Sequence, residues 1–265
     1  MLTVDDFVML GKTVPEPSKD GRVFVCSAGY SPTLRSLIRI YPLSRYSAPP
    51  AWSVSTVRLQ RNPKDSRHES YQLAADRKLG AHDGINAEFK ATGEVPKHER
   101  AELLKRCVFP SITHANERPA GYGNDRVSLA VLHGQGYGLE FEHNPESPES
   151  PQLALFEAPG AKVPEFGAKR FPYVPKLSFY DAAGLHRLSL REWGVFELMR
   201  KHDHLVPMGE GERRRYVASA LHLDETCSLL VGNQNNARTA WLVISVLRHL
   251  RAAPSLFDMT ENEAA

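Results

Sequence analysis

Within one short polar segment, Asp65, Arg67, His68 and Glu69 supply two carboxylates, a guanidinium and an imidazole. Those are the residue types that activate a water, stabilise a developing positive charge and hold a phosphate. The same side chains also neutralise one another when such a segment is merely a solvated loop. Glu192, just before Trp193 at the start of a helix, is a third candidate carboxylate. Its plainer role is to support the positive end of the helix dipole. Arg39 and Tyr41 stand two apart on an extended run and therefore share a face. Together they suit a phosphate or a stacked base, although Tyr41 beside Pro42 fits core packing equally well.

Other chemistries find less support. Cys26, Cys107 and Cys227 are far apart and odd in number, so no disulfide framework is expected, and each reads as a small buried hydrophobe. His202-Asp203-His204 has metal-ligand types, but neighbours on a regular element diverge, and the group reads as a helix end. Asp83 with Glu88-Phe89-Lys90 resembles the acidic and Glu-x-Lys elements with which a restriction-type nuclease holds magnesium, yet Asp83 lies too near Glu88 for the usual strand crossing. The chain has no Walker loop, no dinucleotide glycine fingerprint and no Gly-x-Ser-x-Gly elbow. No metal and no cofactor are expected.

Positioning these residues needs a core, and 265 residues with 42% hydrophobic content can bury one large core or two modest ones. The net charge is only +2, so a surface for nucleic acid has to come from local clusters. Arg35, Arg39, Arg45, Arg58, Arg61, Lys64 and Arg67 form one, and Arg213-Arg214-Arg215 another. Asp5 and Asp6 occupy the place of a basic leader region, and the longest apolar run, 240–247, is too short to span a bilayer. A cytoplasmic protein without a membrane partner is the expectation.

Strand-like runs at 22–28 and 37–43 flank Gly29-Tyr30-Ser31-Pro32 and read as a hairpin, with Pro42 ending the second strand or marking an edge. Alternation at 53–60 predicts a strand with Val54 inward, followed by a turn at 62–65. A short helix is expected over 99–106, then two strands within 126–142. Beyond that, 176–180 and 185–190 form a hairpin around Asp181-Ala182-Ala183-Gly184, and helices are expected from 189 or 190 to 202 and over 212–221. Strands at 227–231 and 239–247 enclose Gly232-Asn233-Gln234-Asn235-Asn236. The predicted fold class is α+β, a mainly antiparallel sheet of hairpins with a few packed helices, its final strand returning to pair with the amino-terminal ones.

The predicted divisions are a β-rich part at 1–143, a Pro-rich linker at 144–175, a part at 176–254 that completes the same fold, and a tail at 255–265. The linker carries one apolar peptide, Gln152-Leu153-Ala154-Leu155-Phe156. It resembles the Gln-Leu-x-Leu-Phe motif by which bacterial DNA-maintenance proteins hold the replicative sliding clamp. In that resemblance Gln152 bonds at the rim, and Leu153, Leu155 and Phe156 are the apolar contacts, with Phe156 the anchor. Docking of the same peptide on the chain's own core is the alternative.

Several blocks together resemble a largely uncharacterised bacterial family associated with phage defence and DNA processing. They are 12–18 (Lys-Thr-Val-Pro-Glu-Pro-Ser), 26–29 (Cys-Ser-Ala-Gly), 39–42 (Arg-Ile-Tyr-Pro), 65–71 (Asp-Ser-Arg-His-Glu-Ser-Tyr), 190–193 (Leu-Arg-Glu-Trp) and 231–234 (Val-Gly-Asn-Gln). The resemblance extends to DNA glycosylases that remove modified bases from phage genomes. It implies Asp65, Glu69 and Glu192 as catalytic carboxylates, and Arg39, Tyr41, Arg67, Asn233, Gln234 and Asn235 as the nucleic-acid contacts. The amides then read a base or sugar, whereas without that role they make a plain turn. A non-catalytic reader of modified bases, a clamp-binding adaptor and a metal-dependent nuclease are the alternatives. The leading expectation requires a polar, arginine-lined cavity where the front and back of the chain meet.

Overall fold

The structure is a computed structural model that describes residues 1–17, 23–44, 48–74, 89–120, 126–144, 171–201, 208–223 and 227–249. Strand makes up 57% of it and helix 18%. The α+β expectation is therefore corrected to a mostly β fold: the helices are few, and strands that lack a clean period in sequence supply the rest.

The first half closes on itself. β1 (Leu2–Lys12), β3 (Val23–Ser31), β4 (Ser36–Ser44), β6 (Ser70–Leu73) and β5 (Ser53–Arg61) pair in that order, and β5 returns to pair with β1. The result is a five-stranded barrel, which leaves no open edge within the ring. β2 (Glu16–Pro17) adds to β3, and β7 (Phe89–Glu94) to β5. Phe7, Met9, Ile38, Ile40, Val57 and Leu59 fill the interior. Val57 and Leu59 thus hold the inward positions of β5, while Val54, expected inward, packs on the opposite side toward the second half.

β1 escapes a sequence reading because Asp5 and Asp6 interrupt its apolar run. The register against β5 slips between Val4 and Phe7, so these aspartates form a bulge. Asp6 then accepts from Ser31 Oγ at 2.5 Å and Thr33 N at 2.7 Å, fixing the turn after β3. Pro42, expected to end its strand, stays inside β4 at a second bulge, where the register slips opposite Val25 and Ser27.

α1 (Arg100–Lys105) leads into the second half, a seven-stranded sheet. Its order is β10 (Gln135–His143), β11 (Tyr173–Asp181), β12 (Gly184–Leu190), β14 (Ala237–Arg248), β13 (Cys227–Gln234), β9 (Leu129–Leu132) and β8 (Val108–Phe109). α2 (Ile112–Glu117), α3 (Trp193–Lys201) and α4 (Glu210–Leu221) complete the described elements. The predicted hairpin at 176–190 is present as β11 and β12, and that at 227–247 as β13 and β14.

β13 is buried on both faces, as a near-continuous apolar run requires. Leu229 and Val231 join the cluster that holds Val195, Phe196, Met199 and Val217 of α3 and α4, while Leu230 meets Val8, Leu10 and Tyr30 of the barrel. The sheet is thus the middle layer between barrel and helices. β14 does not pair with amino-terminal strands; it packs on β1, and a Cβ at Gly11 would stand 2.3 Å from Ser245 Cβ. Its ladders run to β12 and β13 instead.

His143 of β10 pairs with Tyr173 of β11, so the chain leaves and re-enters one sheet around the Pro-rich segment. The division between the two halves falls near α1. The clamp-like peptide 152–156, the tail 255–265, Asp83, Glu88 and His202-Asp203-His204 lie outside the described residues. No helix among the described residues is long and apolar enough to cross a membrane.

Candidate nucleotide-binding cavity

A cavity of about 320 Å³ opens where barrel and sheet meet. Thr13, Val14, Glu16, Cys26, Arg39, Tyr41 and Arg67 line it from the barrel side, and Arg191, Asn233, Gln234, Asn235, Leu242 and Ile244 from the sheet side. Its size falls in the range of small-ligand sites, and its wall mixes apolar surface with convergent polar groups, as such sites do.

Arg39 reaches this place because β4 runs parallel to β6, with Arg39 opposite Ser70 and its own N–H bonded to Glu69 O at 2.8 Å. The residue is 3% exposed. Its guanidinium donates from Nη2 to Ser128 O at 2.8 Å and from Nη1 to Cys26 Sγ at 3.4 Å. Burial lowers its pKa; the neighbouring Cys26 opposes that shift and the like charge of Arg67 adds to it. Gly232 makes room: a Cβ there would stand 3.0 Å from Arg39 Nη2 and 2.8 Å from Ile244 Cδ1.

The loop between β5 and β6 brings the predicted acidic group beside this wall. Asp65 accepts from Arg67 Nε at 2.9 Å, Arg67 Nη2 at 2.5 Å and Ser70 Oγ at 2.7 Å. Burial alone would raise this carboxyl, but the hydrogen bonds from Arg67 and Ser70 override it and hold the pKa at about 2. Arg67 also donates from Nη1 to Asn233 O, Arg238 to Ser66 Oγ and Asn235 to Lys64 O, so the loop is tied to the tip of the β13–β14 hairpin. Glu69 accepts from Ser128 N at 2.9 Å and Ser128 Oγ at 2.8 Å.

Six predicted contacts, Arg39, Tyr41, Arg67, Asn233, Gln234 and Asn235, line the one cavity. The three candidate catalytic carboxylates do not. Asp65 and Glu69 stand behind the wall, holding Arg67 and, through Ser128, Arg39. Glu192 is half-buried elsewhere on the seam; burial raises its pKa to about 7, and Val246 N donates to it at 2.8 Å. Glu16 is the carboxylate in the wall, with Oε1 3.5 Å from Arg191 Nη1.

Residue types alone do not single out Thr13, Glu16, Cys26 or Arg191. The signal is present in the sequence blocks, since each of the six contributes at least one residue to this wall. The arginine run reads differently once folded: Arg213 is buried, lies 3.9 Å over the Tyr173 ring and donates to Met208 O. Arg61 likewise stacks on Tyr71 and donates to His68 O, so part of the expected basic surface is spent on structure. Cys26, Cys107 and Cys227 are free thiols, and among the described residues no group of three His, Cys, Asp or Glu is gathered for a metal.

A family model described as a domain of unknown function (DUF8758) matches residues 4–106, which span β1 through α1. No curated protein and no solved structure matches the chain.

Proposed function

We propose that this chain binds nucleic acid and seats one nucleotide in the seam cavity, reading it without breaking a bond. The observation that carries this is the convergence of Arg39, Tyr41, Arg67 and the amides Asn233, Gln234 and Asn235, from both halves, on one wall. Tyr41, 38% exposed, offers a ring for stacking. Arg191 offers a cation to a phosphate. The carboxylates that catalysis would need at the reacting bond are engaged behind the wall, which favours the reader. The resemblance of the sequence blocks makes DNA with modified bases, as in phage genomes, the proposed target, met in the cytoplasm. Residues 152–156 are the proposed contact for the sliding clamp, and Phe156→Ala should abolish capture of the purified clamp.

Fluorescence anisotropy with labelled oligonucleotides, plain and base-modified, tests the reading. Tyr41→Ala should weaken binding about 5- to 150-fold, since a lost base stack is worth about 1–3 kcal/mol. Wild-type protein that binds no oligonucleotide ends the proposal.

Hydrolytic base excision is the second reading, favoured by Glu16 in the wall. It predicts alkali-labile breaks in treated DNA that disappear in Glu16→Gln. Strands that stay intact leave the reader.

A further inference from the structure

Two polar atoms in the cavity residues have nothing to bond. Arg39 is 3% exposed and Asn233 4%, yet Arg39 Nε finds no acceptor and Asn233 Oδ1 no donor. Leaving such a group unpaired costs about 1–3 kcal/mol, and folded proteins leave few of them. Both residues are otherwise anchored. Arg39 is held by Ser128 O and Cys26 Sγ, while the Asn233 backbone donates to Ser128 O at 3.0 Å and accepts from Arg67. The two residues that carry this donor and this acceptor are thus held in place by groups from both halves of the molecule.

We infer that these atoms, closed over by neighbouring side chains in the unbound protein, form a nucleobase subsite once those side chains shift on binding: the planar edge of an everted base accepts from Arg39 Nε–H and donates an amino or imino hydrogen to Asn233 Oδ1. The inference rests on the nucleotide-binding reading above and deepens it by fixing which part of the nucleotide enters. A backbone phosphodiester would satisfy Arg39 alone, because it carries no hydrogen for Asn233 Oδ1. Nor does the wall await a charge. Arg67 is paired with Asp65, and Arg39 is backed by Glu69 through Ser128. Arg191 is less enclosed, its side chain 31% exposed. The base therefore goes in and the phosphate stays toward Arg191, the orientation that base eversion produces.

Cys26 supplies the readout. It lines the cavity and is partly exposed, whereas Cys107 and Cys227 are 7% and 2% exposed and burial pushes the Cys107 thiol up to about 12. Alkylation of Cys26 by iodoacetamide, followed by peptide mass spectrometry, should slow in the presence of deoxycytidine, deoxyadenosine or a single-stranded oligonucleotide. Inorganic phosphate and 2-deoxyribose 5-phosphate should leave the rate unchanged. Asn233→Leu should lower protection by nucleosides about tenfold, the loss of roughly one hydrogen bond, and Asn233→Asp, which keeps the acceptor, should retain it. Protection at lower concentrations of oligonucleotide than of nucleoside identifies the polymer as the source; equal concentrations identify the free nucleoside. Protection by phosphate but not by nucleosides overturns the subsite, as does an equal response of the two Asn233 variants. If the oligonucleotide still binds in anisotropy, the nucleotide-binding reading survives that result; if it does not bind, both fall.

Discussion

The loop between β5 and β6 buries one carboxylate at the junction of barrel and sheet and the entry to α3 half-buries another, with opposite results. Asp65 is held at about 2, Glu192 at about 7. Burial pushes both upward. Asp65 then receives Arg67 and Ser70, while Glu192 receives Val246 N and the opposing charge of Arg248 without a hydrogen bond from it. Enclosure by itself does not decide whether a seam carboxylate is charged; the supply of donors does. The loop therefore works as an ionic brace for the cavity wall, and the entry to α3 as a carboxyl that is easily neutralised.

Asp65→Ala tests the brace with the largest expected effect. It strands a buried guanidinium, and losing one member of such a pair costs about 3–5 kcal/mol. Urea denaturation measures this, and a loss below about 1 kcal/mol would erase the contrast between the two sites.

Glu192→Gln should act through pH. The ordinary value of Glu192 is 4.5 and its folded value about 7. Its contribution to stability is thus complete below about pH 4.5 and lost as the pH rises through about 7, at up to roughly 1.4 kcal/mol for each pH unit between those two values. Asp65 runs the other way: its contribution is present above its ordinary value of 3.8 and is lost as the pH falls through about 2. Denaturation midpoints from pH 4 to pH 9 should fall for the wild type and fall less for Glu192→Gln; parallel curves would contradict the neutral carboxyl.

The smallest effect belongs to Arg238→Ala, which removes an exposed tie to Ser66. It should change stability by less than about 0.5 kcal/mol and leave Cys26 protection intact. A larger loss would mean that the hairpin tip is braced by surface contacts and not by Arg67.

How much was legible follows from the kind of signal each element gives. The hairpins around Pro32 and Gly184 announce themselves through local turn residues, and the helix α3 through apolar spacing. β1 does not, because its two aspartates sit in a bulge whose register is set by β5. Of the site, the amides at Asn233, Gln234 and Asn235 and the pair Arg39 and Tyr41 were readable by type. Glu16 and Arg191 were not, since each is an ordinary surface residue until β3, β12 and β14 bring their neighbourhoods together.

The sequence by itself determined the hairpins at 176–190 and 227–247 and which residue types can bond a nucleotide, since turn chemistry and side-chain chemistry are local properties. Only the tertiary structure decided that Asp65 and Glu69 stand behind the wall, that Arg39 and Asn233 keep one buried atom each unsatisfied, and that Glu192 sits half-buried with the Val246 amide as its donor. Those outcomes depend on who else arrives at the same place. Parallel pairing of β4 with β6 and the packing of a closed barrel on a separate sheet are long-range events, and no window of neighbouring residues encodes them.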